Sequence, residues 1–204
     1  MQNAAFAVCG LEWDYAAFDV DDPLAAVGAL QTLGFAGANV TIPYKQAVVA
    51  ACDEADGDAV NTIVFREGRA LGFNTDREIL AGIHASRACL IGGGGAARAL
   101  LPALPEDTRV FTRSGSWPPD ATDCDLVVNA TPERKALLVR PQAGQTVVDL
   151  AYGDGETALV AAGRVAGCTV IDGREALVRQ GAASFRLWTG LEPPVDAMRA
   201  AVRP

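Results

Sequence analysis

From Arg87 to Gly173 the chain alternates short runs of apolar, largely β-branched residues with glycine- or alanine-rich segments, and this alternation constrains the fold more than any other feature. "RACLI", "RVFT", "DLVVNA", "TVVDLAY" and "TVIDG" are each too short for a stable helix, while "AARALLPAL" and "ALVAAGRVAG" between them carry helical spacing. Strand, helix, strand in that order predicts an α/β protein with mostly parallel sheets. The first 86 residues read similarly. "DYAAFDV" (14–20) is a predicted strand, "PLAAVGALQTLG" (23–34) a helix stopped by Gly34, and "GANVTI" (37–42) a strand followed by a helix that holds Lys45. "AVNTIVFREGRALGFNTD" (59–76) predicts two strands joined across a "REGR" turn, and "REILAGIHAS" a helix after Asp76. The opening "MQNAAFAVCG" reads as a helix with no strand ahead of it, where a parallel βαβ unit calls for one. "REALVRQGAASFRLWTG" and "PPVDAMRAAV" predict two closing helices divided at Gly190.

Charge narrows the function. A formal net charge of −8 with scattered arginines argues against a nucleic-acid groove, which needs clustered cations. No apolar run reaches the roughly 18–20 residues that span a bilayer, and the expected location is cytoplasmic. The five cysteines, Cys9, Cys52, Cys89, Cys124 and Cys168, have no C-x-x-C spacing and are expected to be buried free thiols. The single His84 is assigned no role.

Three features carry chemistry. "LIGGGGAAR" (90–98) follows an apolar strand and opens a helix, satisfying G-x-G-x-x-A through Gly92, Gly94 and Ala97. Glycines there make the tight turn and let backbone amides approach a pyrophosphate. The following strand should end beside an adenosine ribose roughly 20 residues beyond the first glycine, and Arg113 stands there. An acid at that point would bind the 2′-hydroxyl of NAD; a guanidinium grips the 2′-phosphate of NADP, so NADP is the expected cofactor.

Lys45 is one of only two lysines in a chain with 17 basic residues. At the start of a helix a cation is disfavoured by a few tenths of a kcal/mol to about 1 kcal/mol, which marks Lys45 as retained for chemistry rather than for solubility. Asp76 closes "FNTD" and could be a helix cap, but "NVTIPYK", "AVNT" and "FNTD" all place polar groups at predicted strand ends, where ligands bind open α/β sheets.

The ordered series "GANVTIPYK", "AVNT", "GFNTD", "GGGGAAR", "TRS", "VVNATP", "VVDLAY" and "IDGREALVRQGAASFRLWTG" resembles the shikimate dehydrogenase family, which reduces 3-dehydroshikimate with NADPH in aromatic amino acid biosynthesis. The resemblance implies a substrate-binding domain from residues 1–82 and 176–204, an NADP-binding Rossmann-like domain from 83–175, and C-terminal helices returning to the first domain. It implies Lys45 and Asp76 as the catalytic pair, Thr41, Asn61 and Gln180 on the ring hydroxyls, and Tyr152 toward the substrate carboxylate. Gly92, Gly94, Gly95, Ala96, Arg113, Asn129, Thr131 and Gly173 would hold NADP, and no metal is needed. The implied partner is a small molecule, shikimate or 3-dehydroshikimate, with quinate or another cyclic hydroxy acid as the alternative substrate.

The chain also departs from that family. The strand carrying a Ser-x-Ser motif, which would precede the helix that "MQNAAF" resembles, is absent, so either the natural start lies upstream or part of the substrate site is lost and the chain is an impaired nucleotide- or partner-binding relative. The sheet edge so exposed would be prone to pairing, which points to a homodimer. "SGSWPPDATDCD" replaces a longer helical link, and its prolines predict no full helix. Asp58 stands where the family prefers Gly, and "NATPERK" lacks a Gly-Met that packs near the nicotinamide.

Overall fold

The computed structural model describes residues 1–202, in six α-helices and nine strands. They form two compact units, one from Met1–Glu78 together with the chain from Val178 onward, the other from Ile79–Leu177.

The second unit holds the alternating region. Strands β5 (Arg87–Ile91), β6 (Asp107–Phe111), β7 (Leu126–Asn129), β8 (Thr146–Asp149) and β9 (Thr169–Ile171) form one parallel sheet in the order β6-β5-β7-β8-β9. Alternate residues point to opposite faces of each strand. Ala88, Leu90, Leu126, Val128 and Val148 accordingly fill one buried layer, and Cys89, Ile91, Val127 and Val147 fill the other. Burial on both faces explains why these strands read as continuous apolar runs. Helix α3 (Gly95–Leu100) follows β5, and α4 (Ala158–Val165) is capped by the Thr157 hydroxyl, which accepts from Val160 N. Between β6 and β7 the backbone makes only turns and coil, as the two prolines require.

The first unit departs from the parallel expectation. Its four strands, β1 (Gly37–Asn39), β2 (Glu54–Ala55), β3 (Thr62–Arg66) and β4 (Arg69–Phe73), run in the order β1-β3-β4-β2. The β1–β3 and β3–β4 pairs are antiparallel and only β2–β4 is parallel. The predicted "REGR" hairpin is present, with Glu67 at φ 53° and Gly68 at φ 74°, the two positive values that a tight two-residue turn demands. Helix α2 (Pro23–Thr32) starts at Asp22, whose carboxylate accepts from Leu24 N and Ala25 N.

Helices α1 (Gln2–Val8), α5 (Gly173–Thr189) and α6 (Val195–Val202) have the predicted identity, and Gly190 at φ 69° separates the last two. Phe6 of α1, Val178 and Phe185 of α5 and Met198 of α6 share one buried cluster, so the C-terminal helices pack with the N-terminal segment.

Three local expectations fail for identifiable reasons. Residues 14–20 are not a strand: the Asn3 side chain donates to Tyr15 O and accepts from Tyr15 N, doing the work a neighbouring strand would do. Lys45 is not in an α-helix. The backbone turns through residues 42–46 and continues as a 3-10 segment, Ala47–Ala51, because Lys45 O accepts from Val60 N at 2.7 Å instead of from the next helical turn. Of "REILAGIHAS" only the first four residues are helical, as the end of the 3-10 segment Thr75–Leu80, and Gly82 at φ 73° redirects the chain within two residues. His84 is exposed.

All five cysteines are free, but only Cys89 and Cys124 are buried. Burial, then the neighbouring Cys124, pushes the Cys89 thiol up to about 12. Among the described residues no helix is long and apolar enough to cross a membrane.

Candidate functional site

The first unit brings Lys45, Asn61 and Asp76 together from three separate segments. Lys45 lies in the turn after β1, Asn61 immediately precedes β3, and Asp76 follows β4. Lys45 Nζ stands 2.7 Å from Asp76 Oδ2, and Asn61 Nδ2 donates to Asp76 Oδ1 at 2.8 Å. Both carboxylate oxygens are thereby engaged. The pair is neither sealed nor free in solvent, with side-chain exposures of 24% for Lys45 and 14% for Asp76.

The β3–β4 hairpin fixes this arrangement. Thr62 pairs with Phe73 in the ladder, and Asn61 N donates to Phe73 O at 3.0 Å, so residues 61 and 75 meet at the open end of the hairpin. The buried Asn61 Oδ1 then accepts from Thr75 N at 2.9 Å and from the Thr62 hydroxyl at 2.9 Å. A buried amide with its acceptor and donor both satisfied is held in one orientation.

Helix α5 contributes the other wall of the network. The Thr75 hydroxyl donates to Gln180 Oε1 at 3.4 Å, and the Ser184 hydroxyl lies 2.8 Å from that of Thr62. Asn39 Nδ2 donates to Asn61 O, Thr62 Oγ1 and Ser184 Oγ, while the Tyr15 hydroxyl donates to Asn39 Oδ1. Gln180 is therefore near the pair. Thr41 is exposed within the same turn as Lys45, and its carbonyl accepts from Tyr44 N. Sequence reasoning did not single out Thr75, Thr62 or Ser184. The signal for Ser184 was available, since it lies four residues after Gln180 on one helix face.

The second unit carries the glycine turn and the residues expected around a nucleotide. Gly92 follows β5 at φ 125°, and a Cβ there would lie 3.0 Å from Ala130 O. A Cβ added at Gly94 or Gly95 would meet nothing within 4 Å, both residues are exposed, and Ala96 lies in the first turn of α3. Asn129 is fully buried at the end of β7: it donates to Asp149 Oδ1 at 2.8 Å and accepts from Thr131 N and the Thr131 hydroxyl. Burial raises the Asp149 carboxyl above the usual range despite donors from Thr157, Ala151 and Asn129.

Arg113 is exposed just beyond β6. Glu133 is held below the usual carboxylate range first by the Ala136 and Lys135 amides and last by the charge of Arg113. Tyr152 is 69% exposed, and Gly173 is the residue that lets α5 start against it: a Cβ on Gly173 would lie 2.7 Å from Tyr152 Cβ and 2.8 Å from Ala151 O.

A parallel sheet with a glycine turn after its leading strand, in a chain whose other unit holds a Lys–Asp pair, is the layout of an α/β dehydrogenase. Residues 1–63 match the shikimate dehydrogenase substrate binding domain, and residues 173–203 match the shikimate 5′-dehydrogenase C-terminal domain. The shikimate dehydrogenase (NADP(+)) of Methanopyrus kandleri is 35% identical in an alignment covering 99% of this chain and 89% of that protein. The crystal structure of shikimate 5-dehydrogenase from Thermus thermophilus, in complex with NADP(H) and shikimate, superposes with a TM-score of 0.82 at 30% identity, covering 99% of this chain and 92% of the other. A quinate dehydrogenase from Corynebacterium glutamicum, in complex with NAD, gives a TM-score of 0.80 at 27% identity over 97% and 90% of the two chains. The chain belongs to the shikimate dehydrogenase family of oxidoreductases.

Proposed function

We propose that the protein is an NADP-dependent shikimate dehydrogenase, interconverting 3-dehydroshikimate and shikimate, with Lys45 as the proton donor and acceptor and Asp76 as its orienting partner. The observation that carries this reading is the 2.7 Å contact between Lys45 Nζ and Asp76 Oδ2, backed by Asn61 on the second oxygen. Carbonyl reduction needs a proton delivered to the oxygen as hydride reaches the carbon, and an ammonium fixed by a carboxylate is such a donor. In the oxidising direction the same nitrogen takes the hydroxyl proton. Bound NADPH supplies the hydride.

The remaining assignments are those the family resemblance implies, and the placement of polar groups supports them. Asn61 and Gln180, with Thr75 added to them, present amide and hydroxyl groups beside the pair, suited to a ring with several hydroxyls, and Thr41 is available from the neighbouring turn. Tyr152 has an exposed phenol for the substrate carboxylate. Gly92, Gly94, Gly95 and Ala96 form the pyrophosphate turn, with Asn129, Thr131 and Gly173 shaping the loops at the same strand ends and Arg113 taking the 2′-phosphate.

The test is an initial-rate assay of nicotinamide reduction with shikimate and with quinate, each against NADP and NAD. Turnover of shikimate with NADP well above the other three combinations is expected. Faster turnover of quinate would move the chain to the quinate branch of the family, and no turnover of either acid by folded protein would remove the catalytic reading.

A further inference from the structure

The segment that presents Asp76 is tied down by two residues with no place in the proton transfer, Asp56 and Arg77. Asp56 Oδ1 accepts from Asn74 N at 3.0 Å, and Asp56 Oδ2 accepts from Arg77 Nη2. Arg77 Nε in turn donates to Asn74 O at 3.0 Å, and Asn74 Oδ1 accepts from Asp76 N at 3.1 Å. The N–H, the carbonyl and the side chain of Asn74 are all engaged, and the ring of contacts encloses the turn on which Asp76 sits.

Asp56 is itself anchored. Its N–H donates to Gly72 O at 3.1 Å, just beyond the parallel pairing of β2 with β4, and three residues earlier Asp53 exchanges two bonds with Ala70. The loop carrying Asp56 is thus an extension of the sheet, and the ring ties the Asp76 turn to that sheet from the side opposite to Asn61.

Stability does not account for the pair. Arg77 and Asp56 have side-chain exposures of 47% and 31%, and ion pairs this exposed to solvent contribute little to folding. What the ring does fix is direction: with the Asn74–Arg77 turn closed, Asp76 can offer one oxygen to Asn61 and the other to Lys45. A small loss of that register is costly, because proton transfer depends on donor and acceptor being aligned before the reaction.

We infer that Asp56 and Arg77 are positioning residues for the Lys45–Asp76 pair, acting through the Asn74 turn. The inference rests on the proposed function for its catalytic consequence and on the geometry alone for its structural one. Its test uses the chain's two lysines: protein labelled with ¹⁵N at lysine gives ammonium signals only from Lys45 and from the exposed Lys135. In the intact protein the carboxylate-bound Lys45 ammonium should exchange its protons with water more slowly than that of Lys135.

Arg77→Ala and Asp56→Ala should each speed that exchange and lower kcat, both by about tenfold, with KM held within about twofold. The double variant should be no worse than either single one, since both act on one ring. Asp56→Asn, which keeps an acceptor for Asn74 N, should fall between. Exchange and kcat both unchanged in the single variants would overturn the inference, as would faster exchange with unchanged kcat in an active enzyme. If the intact protein turns over neither shikimate nor quinate, the functional reading fails, and the exchange comparison alone decides whether the ring positions Asp76.

Discussion

Lys45 and Asp76, 31 positions apart in the chain, meet at 2.7 Å, and Asn61 takes the carboxylate oxygen that Lys45 leaves. The three residues arrive by different routes. Asn61 and Asp76 are brought together by the β3–β4 hairpin, whereas Lys45 is held by its own backbone, its carbonyl accepting from Val60 N one residue before Asn61. The Lys45 turn and the Asn61 strand are therefore one hydrogen-bonded unit, which holds the Lys45 backbone beside the segment that carries Asn61.

Removing the Lys45 amine tests whether that contact is the proton path. Lys45→Met keeps an unbranched apolar stem and removes the ammonium. It should lower kcat by about 10²–10⁴-fold while KM changes by less than about threefold, the pattern of a group that acts mainly in the transition state. Lys45→Arg should not restore turnover, because a guanidinium does not readily give up a proton. Steady-state kinetics at saturating cofactor distinguish the outcomes; turnover in Lys45→Met within tenfold of the intact enzyme would remove Lys45 from the proton path.

Asn61 joins the pair to the buried network, so its loss should appear in stability as well as in rate. Asn61→Ala leaves Thr75 N and one Asp76 oxygen without their present partners. Each such orphaned group costs about 1–3 kcal/mol when it stays buried. The urea midpoint should fall accordingly with an unchanged m-value, and kcat should fall with it. An unaltered midpoint would mean that water or a neighbouring hydroxyl replaces the amide.

The parallel sheet was legible because buried parallel strands are written as uninterrupted apolar runs, and "RACLI" falls on β5 residue for residue. Lys45 stood out by charge bias and Asp76 by the polar groups at strand ends, and the family resemblance implied that the two act as a pair. What was not legible was the backbone around them. The Lys45 segment looked helical because nothing local reveals that Val60 N claims its carbonyl. "DYAAFDV" reads as a strand, yet the bonds that satisfy Tyr15 come from the Asn3 side chain. Thr75 was hidden for a related reason, since its hydroxyl matters only through Asn61 and Gln180, both remote in sequence.

Arg113 bears on cofactor choice. An exposed guanidinium just beyond β6 is suited to a dianionic 2′-phosphate, and a charge-assisted bond of this kind contributes about 1.5–3 kcal/mol. Arg113→Ala should weaken NADP binding by about 10- to 100-fold and leave NAD affinity unchanged, measured by calorimetry with each nucleotide. Equal losses for both would place Arg113 against a group that the two cofactors share.

Asp125 gives the fold a definite response to acid. Its carboxylate accepts from Ser86 N at 2.8 Å and Arg87 N at 3.1 Å at the start of β5, and these amides hold its carboxyl below the usual range. A group whose carboxyl is depressed on folding stabilises the native state above its unfolded pKa, about 3.9 for Asp, and loses that contribution as the pH falls through the folded value. Asp125→Asn copies the uncharged form at every pH. The variant should melt below the intact protein at neutral pH, and the two melting curves should converge as the pH drops below about 4. Thermal unfolding followed by circular dichroism across that range checks it; a melting gap that stays constant with pH would mean that packing at the β5 start, and not the charge, is what Asp125 supplies.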